Sequence, residues 1–442
     1  MTRLRFRFAI TLLAWMPANA ICAGFAVLEQ SVSGMGRGYA GATAGGEDIS
    51  TLYYNPAGLS LYSGTRFVFG GTGIVTSSEY RSVSASDITG SPIRGTASSD
   101  VIDDVVVPYF YFSTELSPKI RYGLAVNSPF ALAINYGADS MVRYSAIRAK
   151  IRTININPGL SVAVNDQLSL GFGLSALYSN LKVSNAVDFG TLCFAELGPG
   201  TCTGLGLLPQ GADGKSQLKL DDWAWSYNLG ILFTPSEAFR LGIAYRSKLH
   251  LKSKGRVEFN VPQAATPLLA GGAFRNSGVR LDSDLPETIA IGSQYALNNQ
   301  WKIMADVVWT RWNRINTLNI RFDNPAQANL ITRLNFKNTI RLSLGSSYEP
   351  KPNWILRAGF LFDESPVRNA RNRNFLVPDS DRYWITAGIG YRQSEALQWN
   401  FAYAHVFFNH ASIDNRDAFG HRLSGGLKID ANLFNAELLW RF

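Results

Sequence analysis

The chain has 442 residues, 46% of them hydrophobic and 17% charged, with a formal charge of +9. Its mean hydropathy of -0.01 resembles that of a soluble protein, but 26 Phe, 18 Tyr and 10 Trp carry too much aromatic surface for a disordered chain. Beyond the N-terminus the longest apolar run, Val105 to Phe112, is broken by Pro108 and is far shorter than the roughly 20 residues a spanning helix needs. A helical membrane protein is therefore excluded, and a β-rich chain remains.

Residues 1–20 read as a secretory signal peptide. Arg3, Arg5 and Arg7 form a basic start, Phe8 to Met16 is mostly apolar, and Ala18-Asn19-Ala20 has the small-x-small form of a cleavage site. An alternative cut lies after Ala23. Cys22 lacks the small preceding residue expected of a lipid-anchored cysteine. Export leaves 39 basic against 33 acidic residues, a modest positive excess without the basic and aromatic platform of a nucleic-acid binder. It would suit an anionic surface such as lipopolysaccharide.

Residues 21–64 do not alternate. They are rich in Gly and Ala (Gly34, Gly36, Gly38, Gly41, Gly45, Gly46) and too few to build a core alone. From residue 65 the pattern changes to period 2. Leu168, Leu170, Phe172, Leu174, Ala176 and Tyr178 share one parity, and Ser169, Gly171, Gly173 and Ser175 share the other. Trp301, Ile303, Ala305, Val307 and Trp309 repeat the pattern, as do Tyr383, Ile385, Ala387, Ile389 and Tyr391.

Fourteen strands are predicted, at about 65–79, 104–116, 119–135, 146–164, 168–183, 217–233, 237–254, 283–297, 301–320, 336–349, 354–364, 381–393, 397–408 and 425–442. They are longer than the strands of soluble sandwiches. Short turns (Ser117-Pro118-Lys119, Asn165-Asp166-Gln167, Thr234-Pro235-Ser236, Asn298-Asn299-Gln300, Lys351-Pro352-Asn353, Ser394-Glu395-Ala396) alternate with long loops, the layout of an outer-membrane barrel. The fold expected is all-β: a 14-stranded antiparallel transmembrane β-barrel over 65–442, closed because an open edge cannot face lipid. Residues 21–64 would form an N-terminal plug, or hatch, in its lumen. In the last strand the polar parity changes between Lys428/Asp430 and Asn435/Glu437, which suggests a bulge near Ala431 or a loop boundary.

Cys193 and Cys202 are expected to form a disulfide in an oxidising compartment; the alternative is two free thiols. The loops at 184–215 and 257–280 are unusually apolar. Phe194, Leu205, Leu207, Leu268, Leu269 and Phe274 would either form a binding surface or pack against each other as a lid. No catalytic, metal or cofactor constellation emerges, and no enzyme activity is expected. A barrel lipase would need a Ser–His pair at His405, His410 or His421. A polar-solute porin would need an open lumen.

Several segments resemble the bacterial outer-membrane FadL/OmpP1 family of long-chain fatty acid and hydrocarbon transporters. They are Ala23-Gly24-Phe25, Ser33 to Gly41, Asn55-Pro56-Ala57-Gly58-Leu59, Arg143-Tyr144, Ile154 to Pro158, Asp221 to Trp225, Ala244 to Lys248 and Leu376 to Trp384. The end Trp440-Arg441-Phe442 resembles the aromatic signal read by barrel-assembly machinery, with Phe442 as its last residue.

The resemblance implies capture of a hydrophobic molecule in a groove between outer loops, transfer to a pocket, and release when the hatch moves. The cargo would leave sideways through a kink in the third strand, and the protein would act as a monomer in the bacterial outer membrane. Phe25, Val27 and Leu28 become candidate pocket residues. A fatty carboxylate would want a cation such as Arg143, Arg246 or Lys248; an aromatic hydrocarbon would need none. Ser128, Pro129 and Phe130 fall inside the third strand, where Pro favours a kink. Asn55, Pro56 and Ala57 would pack against that kink or simply start a capped helix.

Overall fold

The structure is a computed structural model describing residues 24–97, 99–417 and 419–442. The signal-peptide reading of residues 1–20, the alternative cut after 23 and Cys22 lie outside the described residues. Alternating two-faced segments pair in sequence order as strands β1 (Arg66–Ser86), β2 (Val105–Ser117), β3 (Ile120–Asn127, then Ala131–Asn135), β4 (Arg148–Ala163), β5 (Leu168–Asp188), β6 (Asp213–Ser236) and β7 (Phe239–Arg246, then Leu249–Asn260). They continue as β8 (Ser277–Leu285, then Thr288–Ala296), β9 (Trp301–Thr310, then Thr317–Phe322), β10 (Thr339–Lys351), β11 (Trp354–Asp363), β12 (Arg382–Arg392), β13 (Leu397–Phe408, then Ala411–Arg416) and β14 (Arg422–Arg441). Each strand is antiparallel to its neighbours, and β14 returns to β1 through a ladder from Arg66–Arg441 to Ser86–Arg422. The result is a closed 14-strand barrel without a free edge.

The two faces separate cleanly. Leu170, Phe172, Leu174, Ile289, Ile291, Leu342, Leu344, Ile385 and Phe401 are exposed on the outside. Their in-register neighbours, such as Ser169, Ser175, Ser343 and Thr386, are buried inside. Trp301 stacks on Tyr348 at 4.4 Å and Trp354 meets Tyr391 at 4.8 Å. These aromatics, with Trp399 and Trp440, stand at the turn ends of their strands, the place of an interfacial girdle.

In β14 the expected bulge near Ala431 is absent, because the ladder with β1 is continuous from Gly426 to Arg441. Lys428 and Asp430 instead point outward near the loop end, whereas Asn435 and Glu437 point inward. One strand therefore shows polar residues on both parities, because its outer end rises out of the apolar belt. The register shift lies higher, between Arg81 and Ser84 of β1.

Residues 24–64 are almost entirely buried. They include the short helices α1 (Val32–Gly36) and α2 (Thr51–Tyr54) and a 3-10 turn, Pro56–Leu61. Their polar groups bond to inward-facing atoms on many strands. Tyr111 of β2 donates to the Gln30 carbonyl at 2.9 Å, Ser161 of β4 to the Ala57 carbonyl at 2.9 Å, and Arg246 of β7 to the Tyr53 carbonyl at 2.6 Å. Asp306 of β9 accepts from the backbone N–H groups of Gly41 and Thr43. Arg357 of β11 pairs with Glu47 at 2.6 Å, and Glu437 of β14 accepts from Val32 N–H at 3.3 Å. Burial alone would raise the Glu47 carboxyl, but Arg357 and Arg37 outweigh it and hold the group well below the usual carboxylate range.

Candidate functional site

The third strand is interrupted where Pro129 stands. Its ladder with β2 runs from Ser117–Ile120 to Phe110–Val126 and stops there. Above that point Val105 to Val107, with Pro108 and Tyr109, pair only with β1. The second half of β3 pairs with β4 alone, apart from one bridge between Ile102 and Ile134. The wall between β2 and β3 thus lacks ladder bonds beside Ser128, Pro129 and Phe130. Thr153 of β4 holds the interruption: its hydroxyl donates to the Phe130 carbonyl at 2.6 Å and accepts from Phe130 N–H at 3.1 Å. Ser128 donates to the Thr153 carbonyl at 2.8 Å.

The N-terminal segment uses the backbone groups that this interruption leaves free. Val27 N–H donates to the Pro129 carbonyl at 2.8 Å, and Ala131 N–H donates to the Phe25 carbonyl at 3.0 Å. Ala26 and Phe130 form an antiparallel bridge. Gln30 adds a side-chain bond to the Ser128 carbonyl at 2.8 Å. The segment is thus added as a short strand against the break, an arrangement of main-chain recognition.

Phe25 stands at the edge of a large apolar cluster on the loop side of the barrel. Its ring lies 5.3 Å from Trp312 and 6.0 Å from Phe130. The cluster continues through Phe336, Tyr136, Phe375, Leu249 and Leu427. Val27 belongs to a different cluster, with Leu52, Tyr111 and Trp384. Leu28 is partly buried against it, and its carbonyl accepts from Tyr54 at 2.9 Å. The three residues therefore straddle two apolar regions. Trp312, Phe336 and Phe375 have no strand-parity signal, because they sit in interruptions and loops. A Trp inside the loop end of β9 was the available clue.

Asn55, Pro56 and Ala57 lie elsewhere. Asn55 caps the turn by accepting from Ala57 N–H at 3.0 Å, and its amide donates to the Thr43 and Ile231 carbonyls. A Cβ on Gly230 would lie 1.9 Å from Asn55 Oδ1, and one on Gly171 would lie 2.1 Å from Ala57 N. The trio is thus seated on β4, β5 and β6. The expected packing against the kink is made instead by residues 25–30.

The three candidate cations differ. Arg143 pairs with Asp213 at 2.8 Å, and Lys248 with Asp284 at 2.8 Å. Arg246 has no carboxylate partner among the described residues and stacks over the Tyr53 ring at 4.6 Å. The outer loops pack together in part. Leu207, Phe189, Cys193, Cys202 and Ala265 form one buried cluster, with Phe194, Leu268 and Phe274 against it. Leu269 is half-buried, while Leu205, Leu197 and Leu208 are exposed. Cys193 and Cys202 form the expected disulfide.

The same loops carry a buried ion cluster. His421 is held between Asp417 at 2.7 Å and Asp188 at 3.4 Å, and its ring stacks on Tyr144 at 4.3 Å. Tyr144 donates to Asp213, which also pairs with Arg143. Burial alone would lower the imidazole, but the two carboxylates outweigh it and push it up to about 9. A raised value means the cluster's stabilisation is complete below the ordinary 6.5 and is lost as pH rises through about 9. Proteolysis of the outer loops should accelerate across that window. A His421→Gln protein should show no such pH step. His405 bonds Asn432 and His250 bonds Asp284.

A closed antiparallel barrel with a lipid-facing apolar belt defines an outer-membrane β-barrel. A family model described as outer membrane protein transport protein (OMPP1/FadL/TodX) matches residues 11–442, and the chain belongs to that family. It is 28% identical to a putative outer membrane protein of Neisseria meningitidis, covering 97% of each chain. It is also 28% identical to the long-chain fatty acid transport protein of Salmonella typhi, covering 86% of each. Among solved structures, a Pseudomonas aeruginosa FadL homologue superposes with a TM-score of 0.87 at 21% identity, over 95% of this chain and 100% of that one. The toluene transporter TbuX of Ralstonia pickettii gives 0.69 at 16% identity, over 93% and 98%.

Proposed function

We propose that this protein takes a long-chain fatty acid or similar hydrophobic molecule across the outer membrane, with residues 24–64 as a hatch and the interruption in β3 as a lateral exit. One observation carries the reading. Phe25 to Val27 bond to the break itself, while Phe25 also forms part of the apolar cluster around Trp312. Cargo that displaces Phe25 would therefore disturb the strand that covers the break. The exposed Leu197, Leu205 and Leu208 provide an apolar landing surface on the outer loops. Relatives named as fatty acid transporters support the cargo class. The chain would work as a monomer, with lipopolysaccharide around its rim and Phe442 presented to the assembly machinery.

Aromatic hydrocarbon remains the second reading, favoured by the ring-rich wall of Phe25, Phe130, Trp312 and Phe336. Ligand co-purified with the barrel should be identified, followed by competition between oleate and toluene. Fatty acid cargo predicts that Arg246→Gln weakens oleate by roughly the tenfold or more of a charge-assisted bond and leaves toluene unchanged. Displacement by neither compound would overturn the transport reading.

A further inference from the structure

The periplasmic mouth contains a basic cavity that hydrophobic transport does not use. It has a volume of about 520 Å3 and lies between the turn before β11, the turn before β13 and the end of β14. Arg392, Arg441, Gln393, Ser394 and Gln398 line it, and Glu395 is the carboxylate on its wall. Arg392 shares Glu349 with Lys302, at 2.8 and 3.1 Å, so one acid serves two cations. Arg441 enters no ion pair among the described residues, and its Nε is buried without a hydrogen-bond partner. It also stands directly opposite Arg66 in the β1–β14 ladder. Like charges placed so are unfavourable unless a counter-charge lies between them.

The same chemistry continues inward. Gln398 donates to Asn400 at 2.9 Å. A Cβ built on Gly390 would lie 2.7 Å from Asn400 Oδ1 and 3.1 Å from Arg357 Nη1. Arg357 is 0% exposed, and although its Nε is bound to Glu47, both Nη atoms lack partners. Buried guanidinium N–H groups without acceptors are costly. They are also the donors that best hold a phosphate.

We propose that this mouth binds a phosphate group, with Arg441 and Arg392 as its principal contacts and Arg357 as a deeper cation stabilising the charge. A phospholipid headgroup of the inner leaflet and a soluble phosphate share that chemistry. The full-length barrel in neutral detergent is titrated separately with inorganic phosphate and with dihexanoylphosphatidylglycerol. At least one probe should bind saturably, one per chain. Affinity should fall by about tenfold or more in Arg441→Gln, the loss expected of a charge-assisted bond.

Arg441 lies between Trp440 and Phe442, so a second variant, Ser394→Glu, sets a carboxylate in the cavity without touching the terminal strand. It should weaken binding similarly in a barrel that keeps its heat-modifiable mobility on gels. Lipid binding much tighter than phosphate assigns the membrane as the source; equal binding assigns a soluble anion. No saturable binding of either probe, or unchanged affinity in a folded Ser394→Glu barrel, overturns the proposal.

Discussion

A Pro108→Cys/Ser128→Cys barrel whose two thiols are joined by a short reversible crosslinker should lose uptake of a labelled long-chain fatty acid by on the order of tenfold or more, the behaviour of a blocked gate. Phe110 faces Val126 in the last ladder pair below the break. Continuing that register would set Pro108 opposite Ser128, and a link there restores the wall where its bonds are missing. Thr153 would still hold the Phe130 backbone, so the barrel should remain folded and heat-modifiable. Reduction should return uptake. The unaltered protein, whose Cys193–Cys202 bridge is also reduced, serves as the control. Cargo leaving straight through the periplasmic mouth would be indifferent to the link, so full uptake by the joined protein removes lateral exit. The single-cysteine proteins separate loss of Pro108 from closure of the gap.

The barrel was legible because its physics is repetitive. Each spanning strand needs an apolar parity for lipid and a small or polar parity for the interior, and both appear in Leu168 to Tyr178. The short turns were legible too, since Ser117–Ile120 and Lys351–Trp354 close within a residue or two of the expected positions. The outer ends were not. Residues 277–282 were expected in a loop, yet β8 begins at Ser277. Above the lipid belt Arg280 and Asp282 face water outside while Val279 and Leu281 join an inner cluster, so lipid no longer imposes its outer pattern.

The site was divided in the same way. The break at Pro129 was visible because Pro cannot complete a ladder. What covers it depends on contacts about a hundred residues apart, such as Gln30 with Ser128, which no local pattern encodes. Phe25 and Asn55 were both visible as unusual residues in a segment that does not alternate. Only the folded chain separates them, one beside the break and one on β6.

If residues 24–64 close the lumen, replacing Gly230 by Val should give a large steady conductance in planar bilayers that the unaltered barrel lacks. The argument rests on space. A Cβ at residue 230 would lie 1.9 Å from Asn55 Oδ1 and 3.0 Å from Ala57 N. Turning Asn55 aside relieves the first contact only by giving up its bonds to Ala57, Thr43 and Ile231, and it leaves the backbone contact at Ala57. Either the wall or the N-terminal segment must move. The wall at residue 230 is paired to Gly171 on one side and Ala244 on the other, within continuous ladders. Opening it would expose several unsatisfied backbone groups near lipid, each costing several kcal/mol and together well above a typical overpacking strain of about 1–3 kcal/mol.

The segment opposite is held here by side-chain bonds, Asn55 to the Ile231 carbonyl, Ser161 to the Ala57 carbonyl and Arg246 to the Tyr53 carbonyl, none of them a ladder bond. The segment should therefore yield. Its departure takes Asn55, Pro56 and Ala57 from their seat while the Arg357–Glu47 pair on the far side still tethers it. Gly171→Val should act likewise, through Ala57 N at 2.1 Å. A matching Val at Gly73 supplies the control: it stands in a ladder, and its Cβ would meet only the Phe434 carbonyl at 3.7 Å. If Gly230→Val conducts no more than that control while remaining folded, residues 24–64 do not close the lumen.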